Sequence, residues 1–422
     1  MCEEFMVRDL MSPLLSQSVE SEERSSSAER EAEPREDAIR RIEAEPREAA
    51  ICRIEAGPCE AASCRDKADQ LESLRAWFLL EKRSFPWRVE DVSPYQVLVS
   101  EIMLQQTRAE VVVPYFLRWM DQFPDFDALA EASWEVVLKA WEGLGYYSRA
   151  RRLHEMAKRV VSDHGGVLPS NPEALAALPG CGPYTVGAVR AFAFHQRAAA
   201  VDGNVLRVWS RLYAQDAPID LPKTSTRIRQ EVEEALPGSR PWEITEALIE
   251  LGATICLPKA PRCAACPLKG LCKAHQDGKQ HLLPLKRERK QPIILEQAAL
   301  LAISPEGVLL VQGQPGEVFG EIWRLPTWEE SSEGRHAMRE WTREPVRRFL
   351  LHKPILHCYT HFRCYLWPYL CHMNMARPME RGVWVCWEKL PQITLASGHR
   401  EILSRWQSAQ SESNGFPLQL SL

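Results

Sequence analysis

Glu101 and Asp202 are the two acids whose surroundings suggest chemistry. Glu101 lies in "VLVSEIMLQQT" with Leu98, Val99, Ile102 and Met103 around it. A carboxyl held among apolar groups has a raised pKa, which suits a general acid. The same spacing also suits a solvated helix glutamate. Asp202, in "AVDGNVLRV", stands just before a helix start, where an aspartate either caps the helix or presents a charged carboxylate.

A second chemistry is suggested by four cysteines. Cys256, Cys263, Cys266 and Cys272 are spaced C-x6-C-x2-C-x5-C. Four soft ligands within one short span fit an iron–sulfur cluster, and zinc is the rival metal. Zinc ribbons usually pair two C-x2-C units, and this segment has one. Lys259, Arg262 and Lys269 lie in the loops between these cysteines and point to a segment that contacts phosphate, unless they are ordinary solvated cations.

The stretch "LPGCGPYTVGAV", residues 178–189, separates two helical patterns with a glycine-rich turn. Such a turn leaves backbone N–H groups free at the next helix N-terminus, an anion site. Gly180 and Gly182 would allow close approach, since neither carries a Cβ. A nucleotide cradle is the rival reading, but it needs a preceding strand, and G-K-[ST] is absent.

Helices must position these groups. Apolar periodicity predicts helices in "LESLRAWFLLEKRSFPWR", in "SPYQVLVSEIMLQQT" with a Ser cap and Pro94 in the first turn, and in "YSRARRLHEMAKRVVSDHGG". "NPEALAAL", "TVGAVRAFAFHQ", "NVLRVWSRLYA" and "EITEALIELGATIC" add more. Residues 67–275 therefore read as an all-helical domain. Residues 276–291 read as a basic linker and 292–405 as an α+β domain with strand-like runs. Residues 406–422 read as a tail. Residues 1–66 contain three units of a 12-residue repeat, each with a proline, and read as a disordered acidic segment.

Charge follows this division. Residues 1–66 hold 9 Lys and Arg against 17 Asp and Glu, a net of −8. The remainder holds 43 against 40, a net of +3, so the overall −5 misleads about partners. No run approaches the ~18 apolar residues of a membrane helix, and the acids near the N-terminus do not suit a signal peptide. Thirteen cysteines without such a signal point to a reducing, intracellular setting. In a bacterium that is the cytoplasm and nucleoid, and in a eukaryote the nucleus or mitochondrion.

Taken together, "PWR…PYQVLVSEIMLQQT", "GLGYYSRARRLH", "LPGCGPYTVGA", "VDGNVLRV" and the cysteine spacing resemble the MutY-type adenine DNA glycosylases of the helix–hairpin–helix superfamily. The resemblance is strong over about residues 70–275 and weak over 292–400. It implies a monomeric enzyme with a [4Fe–4S] cluster that flips adenine out of duplex DNA, mispaired with 8-oxoguanine or G, and hydrolyses its glycosidic bond. It further implies that Glu101 protonates the base, that Asp202 stabilises an oxocarbenium-like sugar with Asn204 beside it, and that Tyr184 assists at the sugar carbon. Trp87 and Arg88 would edge the adenine pocket, and Gln106 and Tyr146 would wedge into the stack. One residue more separates Trp87 from Glu101 than in some relatives, which touches the pocket edge.

Endonuclease III-type enzymes carry a lysine at the Tyr184 position, whose amine forms a Schiff base and drives strand cleavage. Tyrosine cannot, so base removal without strand cleavage is expected. An endonuclease III-like enzyme for oxidised pyrimidines and a non-catalytic iron–sulfur DNA-binding protein are the alternatives. At the C-terminus the family carries a Nudix-like domain that reads 8-oxoguanine. "CYTHFRCYL" resembles its Phe-Ser-His loop, with Tyr359, Thr360 and His361 in those places. "REWTREPVRRF" lacks the paired acids of a Nudix hydrolase, so no Mg²⁺-dependent hydrolysis is expected.

Overall fold

The structure, a computed structural model, describes residues 71–288, 291–313, 320, 322–348, 353–359 and 362–413. The repeat segment lies outside them. Up to residue 276 the described chain is helical: α1 (71–81), α2 (Pro94–Leu104), α3 (Ala109–Gln122), α4 (Phe126–Glu131), α5 (Trp134–Ala140), α6 (Ser148–His164) and α7 (Pro172–Ala177). Then come α8 (Pro183–Phe192), α9 (Gly203–Leu212), α10 (Pro222–Ala235), α11 (Pro241–Thr254) and the one-turn α12 (Lys273–Gln276). Among the described residues no strand precedes Ile293.

Local signals explain the boundaries. Ser93 and Gln96 form a reciprocal capping box on α2, with Pro94 in the first turn. Gly165, in the left-handed conformation, closes α6. From Tyr95 to Met103 α2 is buried almost without interruption, as expected of a helix at the centre of a bundle.

The helices pack into two apolar clusters. One gathers Leu98, Met103, Trp119, Trp141 and Leu153 from α2, α3, α6 and the turn after α5. The other gathers Phe78, Val208, Ile228 and Leu248 from α1, α9, α10 and α11. Helix α8 touches both sides, contacting α2 and α11. At Gly252 a Cβ would lie 2.5 Å from the Asn204 Cβ, so glycine lets α11 and α9 meet closely.

From Ile293 the chain forms a sheet flanked by helices. Strands β1 (Ile293–Ser304), β2 (Gly307–Gln312), β3 (Trp323–Arg324), β4 (Thr327–Glu329), β5 (Arg347–Arg348), β6 (Ile355–Tyr359), β7 (Phe362–His372) and β8 (Gly382–Val385) run along the path β3-β2-β1-β7-β5, with β4 on β1, β6 on β7 and β8 on β2. Among the described strands only β1 and β7 form a parallel ladder, from Ile293 opposite Phe362 to Ile303 opposite His372. The period of two divides β1 between faces. Ala299 and Leu301 join Ile402 and Leu403 of α14 (Ser397–Ser413), while Ala298, Leu300 and Ala302 join Met338 of α13 (Ser332–Thr342).

The expected tail boundary at 405 falls inside a helix, since α14 runs to Ser413. Trp406 stacks on Trp387 at 5.0 Å, an apolar anchor within a polar-looking segment. Residues 414–422 lie outside the described part. The sheet region rests on α5 and the loop after it, where Leu138 meets Ile322 and Ala396.

Candidate active site

Asp202 caps α9. Its Oδ1 accepts from the backbone N–H groups of Asn204 and Val205, both at 2.8 Å, and its Oδ2 accepts from Asn204 Nδ2 at 2.7 Å. The two readings of this aspartate thus coincide: the cap places one carboxylate edge on an open pocket that also receives Glu101, Tyr184 and Asn204. Burial pushes the Asp202 pKa up, and these donors together with Arg207 oppose the shift.

Glu101 enters the pocket from the buried side of α2. Its Oε2 accepts from the Tyr184 hydroxyl at 2.6 Å. Burial pushes the Glu101 pKa up to about 7, against the stabilising hydrogen bond from Tyr184, and the nearby Glu246 and Asp202 push it further the same way. Tyr184, on the first turn of α8, is itself held well above its usual pKa by burial and by the Glu101 charge, so it stays a donor. The arrangement offers a carboxyl that changes protonation near neutral pH beside one clamped by N–H donors, the pairing used when one acid donates and another stabilises positive charge.

Gly180 and Gly182 line the pocket. Gly180 has φ +84, a left-handed turn. Gly182 caps α8 without a side-chain acceptor, so the N-terminal N–H groups of α8 are open to an anion such as phosphate.

Trp87 and Arg88 also line the pocket, but from its wall. Trp87 is buried, stacked on Phe85 and edge-on to Phe116. Arg88 pairs with Glu246 at 2.5 Å and with Glu250 at 2.9 Å. Glu250, fully buried, also accepts from Arg83 at 2.7 Å. Burial alone would push the Glu250 pKa up, yet Arg83 and Arg88 pull it below the usual carboxylate value. Glu246 and Glu250 escaped the sequence reading. Their signal was two acids four apart in the apolar pattern "EALIELGA", one face of a helix.

Gln106 (φ 58) and Tyr146 (φ 49) sit in positive-φ turns. Gln106 lines the pocket, and Tyr146 stands outside it, 49 % exposed. Buried Arg149 joins the two turns. Its Nη1 donates to the Ile102, Met103 and Gln105 carbonyls at 3.0, 2.8 and 2.6 Å, and its Nη2 to Leu144 and Gly145 at 3.2 and 3.1 Å. Sequence reasoning missed Arg149, because a basic residue in a basic helix carries no sign of being buried.

The four cysteines line one small cavity with Arg211, His275 and Gln280. All four are free thiols and half-buried. Burial pushes the Cys266 pKa up to about 11 and raises that of Cys272. Four soft donors around one cavity fit a thiolate-bound metal centre. Among the described residues no three His, Cys, Asp or Glu side chains are arranged to hold a single metal ion. Helix α9 connects this cavity to the pocket. Arg211 donates to Cys256 Sγ at 3.2 Å, and Arg207 donates to the Cys256 carbonyl at 2.7 Å and to Asn204 Oδ1 at 2.8 Å.

Tyr359 ends β6, and nothing is described of its side chain. Thr360 and His361 lie outside the described residues. No helix among the described residues is long and apolar enough to cross a membrane.

Residues 99–237 match the HhH-GPD superfamily of base excision DNA repair proteins. An adenine DNA glycosylase of Mus musculus is 31% identical over 399 residues, spanning 79% of this chain and 77% of its own. That of Homo sapiens is 30% identical, over 80% and 74% of the two chains. A Mycobacterium tuberculosis adenine DNA glycosylase is 45% identical over 197 residues, 46% of this chain and 64% of that one. Identity that runs through both the helical and the sheet regions places this chain in the adenine DNA glycosylase family of helix–hairpin–helix base excision repair proteins.

Proposed function

We propose that this enzyme removes adenine from duplex DNA where it is mispaired with 8-oxoguanine or G, and that it does so without cutting the strand. The observation that carries the reading is the hydrogen bond between Tyr184 and a buried Glu101 in a pocket that also holds Asp202. The adenine must leave the stack to reach them. Glu101, with a pKa near 7, donates its proton to the adenine as the bond from the sugar carbon to the base nitrogen breaks. The Asp202 carboxylate faces the positive charge that develops on the sugar, and Asn204 holds its second oxygen. Water then adds to the sugar carbon and returns a proton to Glu101. Tyr184 has no amine, so no imine forms and no strand cleavage follows.

Gln106 and Tyr146 are the proposed wedge, with Trp87 and Arg88 in the pocket wall. Gly180 and Gly182 are the backbone grip on phosphate. Tyr359, Thr360 and His361 are proposed to read 8-oxoguanine, on the support of sequence resemblance. Cys256, Cys263, Cys266 and Cys272 would hold a [4Fe–4S] cluster, which when bound staples the 256–272 loop. The single C-x2-C unit supports a cluster over zinc. Residues 67–275 and 292–413 are read as the two functional domains, and the protein as an intracellular monomer.

One assay tests this. Duplexes with A opposite 8-oxoguanine, A opposite G, and thymine glycol opposite A are incubated with the protein, then treated with or without alkali. Alkali-dependent breaks at A are expected, fastest opposite 8-oxoguanine. Breaks at thymine glycol without alkali would instead favour an endonuclease III-like lyase.

A further inference from the structure

Glu142 lies where the helical and sheet regions meet, and its carboxylate is only 15 % exposed. Oε1 accepts from Arg400 Nε on α14 at 2.6 Å and from the Leu395 backbone N–H at 3.0 Å. Oε2 accepts from Lys139 Nζ at 2.6 Å. Lys139 and Arg400 both reach the Ile393 carbonyl as well, at 3.4 and 2.5 Å. Two cations and one N–H donor therefore converge on a single carboxylate across the seam between regions, with Leu138, Ile322 and Ala396 packed beside it.

The same residue opens the turn that carries Tyr146. The Glu142 carbonyl accepts from the Tyr115 hydroxyl at 3.0 Å, and Trp141 Nε1 closes the turn on the Gly145 carbonyl at 3.1 Å. Tyr147, next to Tyr146, packs into the seam. From Leu144 and Gly145, Arg149 continues to the Gln105 carbonyl, next to Gln106. Both proposed wedge residues thus hang from turns whose frame is fixed at one end by the sheet region.

We propose that Glu142 is a positioning residue through which the docked C-terminal region sets the Tyr146 turn, so that reading the opposite base and entering the stack become one rigid act. This rests on the function proposed above. A wedge held in its bound geometry before DNA arrives loses less freedom on binding. Glu142 touches no reacting atom. Its loss is read in capture of the mispair and leaves the bond-breaking step alone.

The test uses the full chain with Glu142→Ala, Glu142→Gln, Arg400→Ala and the double variant Glu142→Ala/Arg400→Ala. Binding is measured to a duplex with 2′-fluoro-2′-deoxyadenosine, a cleavage-resistant adenosine, opposite 8-oxoguanine. A 2-aminopurine beside the lesion pair reports wedge entry by its rise in fluorescence. Glu142→Ala should weaken binding about tenfold, within the range carried by packed networks, and lose most of the fluorescence rise. The single-turnover rate at saturating protein should change less than about twofold, since only a lost transition-state contact lowers that rate. Glu142→Gln keeps an acceptor for the Leu395 N–H and should recover part of both signals. Arg400→Ala should reproduce the defect, and the double variant should add nothing to the worse single one.

Wild-type binding and fluorescence in Glu142→Ala would overturn the proposal, as would a lower saturating rate at unchanged affinity. Were Glu142→Ala not to fold, Glu142→Gln and Arg400→Ala carry the same readouts. A wild-type protein that binds and wedges but releases no adenine would overturn the catalytic reading alone, because neither binding signal needs turnover. Failure of the wild type to bind the mispair would overturn both.

Discussion

Glu101 lines the pocket, Glu250 lies buried and paired with Arg88 of the pocket wall, and their pKa values move in opposite directions. Both are buried, and burial pushes both upward. Glu101 meets a hydroxyl and two other acids, and it reaches about 7 because burial and those acids outweigh the pull of Tyr184 and the weaker pull of Arg88. Glu250 meets two guanidinium groups, and it falls below the usual value. Burial sets the cost of the charge, and the nearest partner decides which protonation state bears it. Arg88 is the hinge of this difference, since it faces α11 through Glu246 and Glu250 rather than clamping Glu101.

The sharpest way to break the comparison is Glu101→Gln. Removing the proton donor should slow adenine release by about 10²- to 10⁴-fold while mispair binding persists. Wild-type turnover in that variant would remove Glu101 from its role. Glu250→Ala should act on the fold instead. It leaves the nearly buried Arg88 with Glu246 alone and the half-exposed Arg83 with Glu110, at a cost of about 1–3 kcal/mol in denaturant melts. A loss below about 1 kcal/mol would mean that Glu110, Glu246 and solvent satisfy the two guanidinium groups without Glu250.

The two acids should also differ in pH response. For Glu101 the folded pKa lies above the unfolded 4.5, so the native state holds the extra proton and this carboxyl costs stability as pH rises through about 7. Glu101→Gln should therefore gain on the wild type in melting temperature between pH 5 and pH 8. The single-turnover rate should be flat below about pH 7 and fall above it as the donor is lost. For Glu250, whose folded pKa is lowered, the stabilisation is present above 4.5 and lost as pH falls through its folded value. A rate independent of pH between 6 and 9 would contradict a Glu101 titration near 7.

The smallest effect concerns Tyr184. Its hydrogen bond holds the Glu101 pKa down against burial. Tyr184→Phe should move the basic limb of the rate profile to higher pH and slow release about two- to tenfold, the worth of one hydrogen bond. A limb shifted to lower pH would show that the hydroxyl favours the protonated acid.

Legibility differed by element. The α2 start was readable because Ser93, Pro94 and Gln96 are local signals. Helix α4, six residues from Phe126, was missed, since two buried apolar side chains are too few for a period. Asp202 could be read as cap or as carboxylate, and in the pocket it is both. Trp87 could be placed near the pocket but not within its wall, since that depends on Phe116 from another helix.

The sequence by itself determined the helical periodicity, the caps, the donor set of four thiols and the absence of an amine at Tyr184. These are properties of residue type and short spacing, and no distant contact alters them. Only the tertiary structure decided that Glu101 is hydrogen-bonded to a hydroxyl rather than to a cation, that Glu250 has two cations, that Arg149 ties the 102–105 and 144–145 turns together, and that Glu142 ties its turn to the sheet region. Each of these depends on a partner 44 to 258 residues away. A side chain's charge state and orientation follow from what is packed against it, and packing at that separation exists only once the chain has folded.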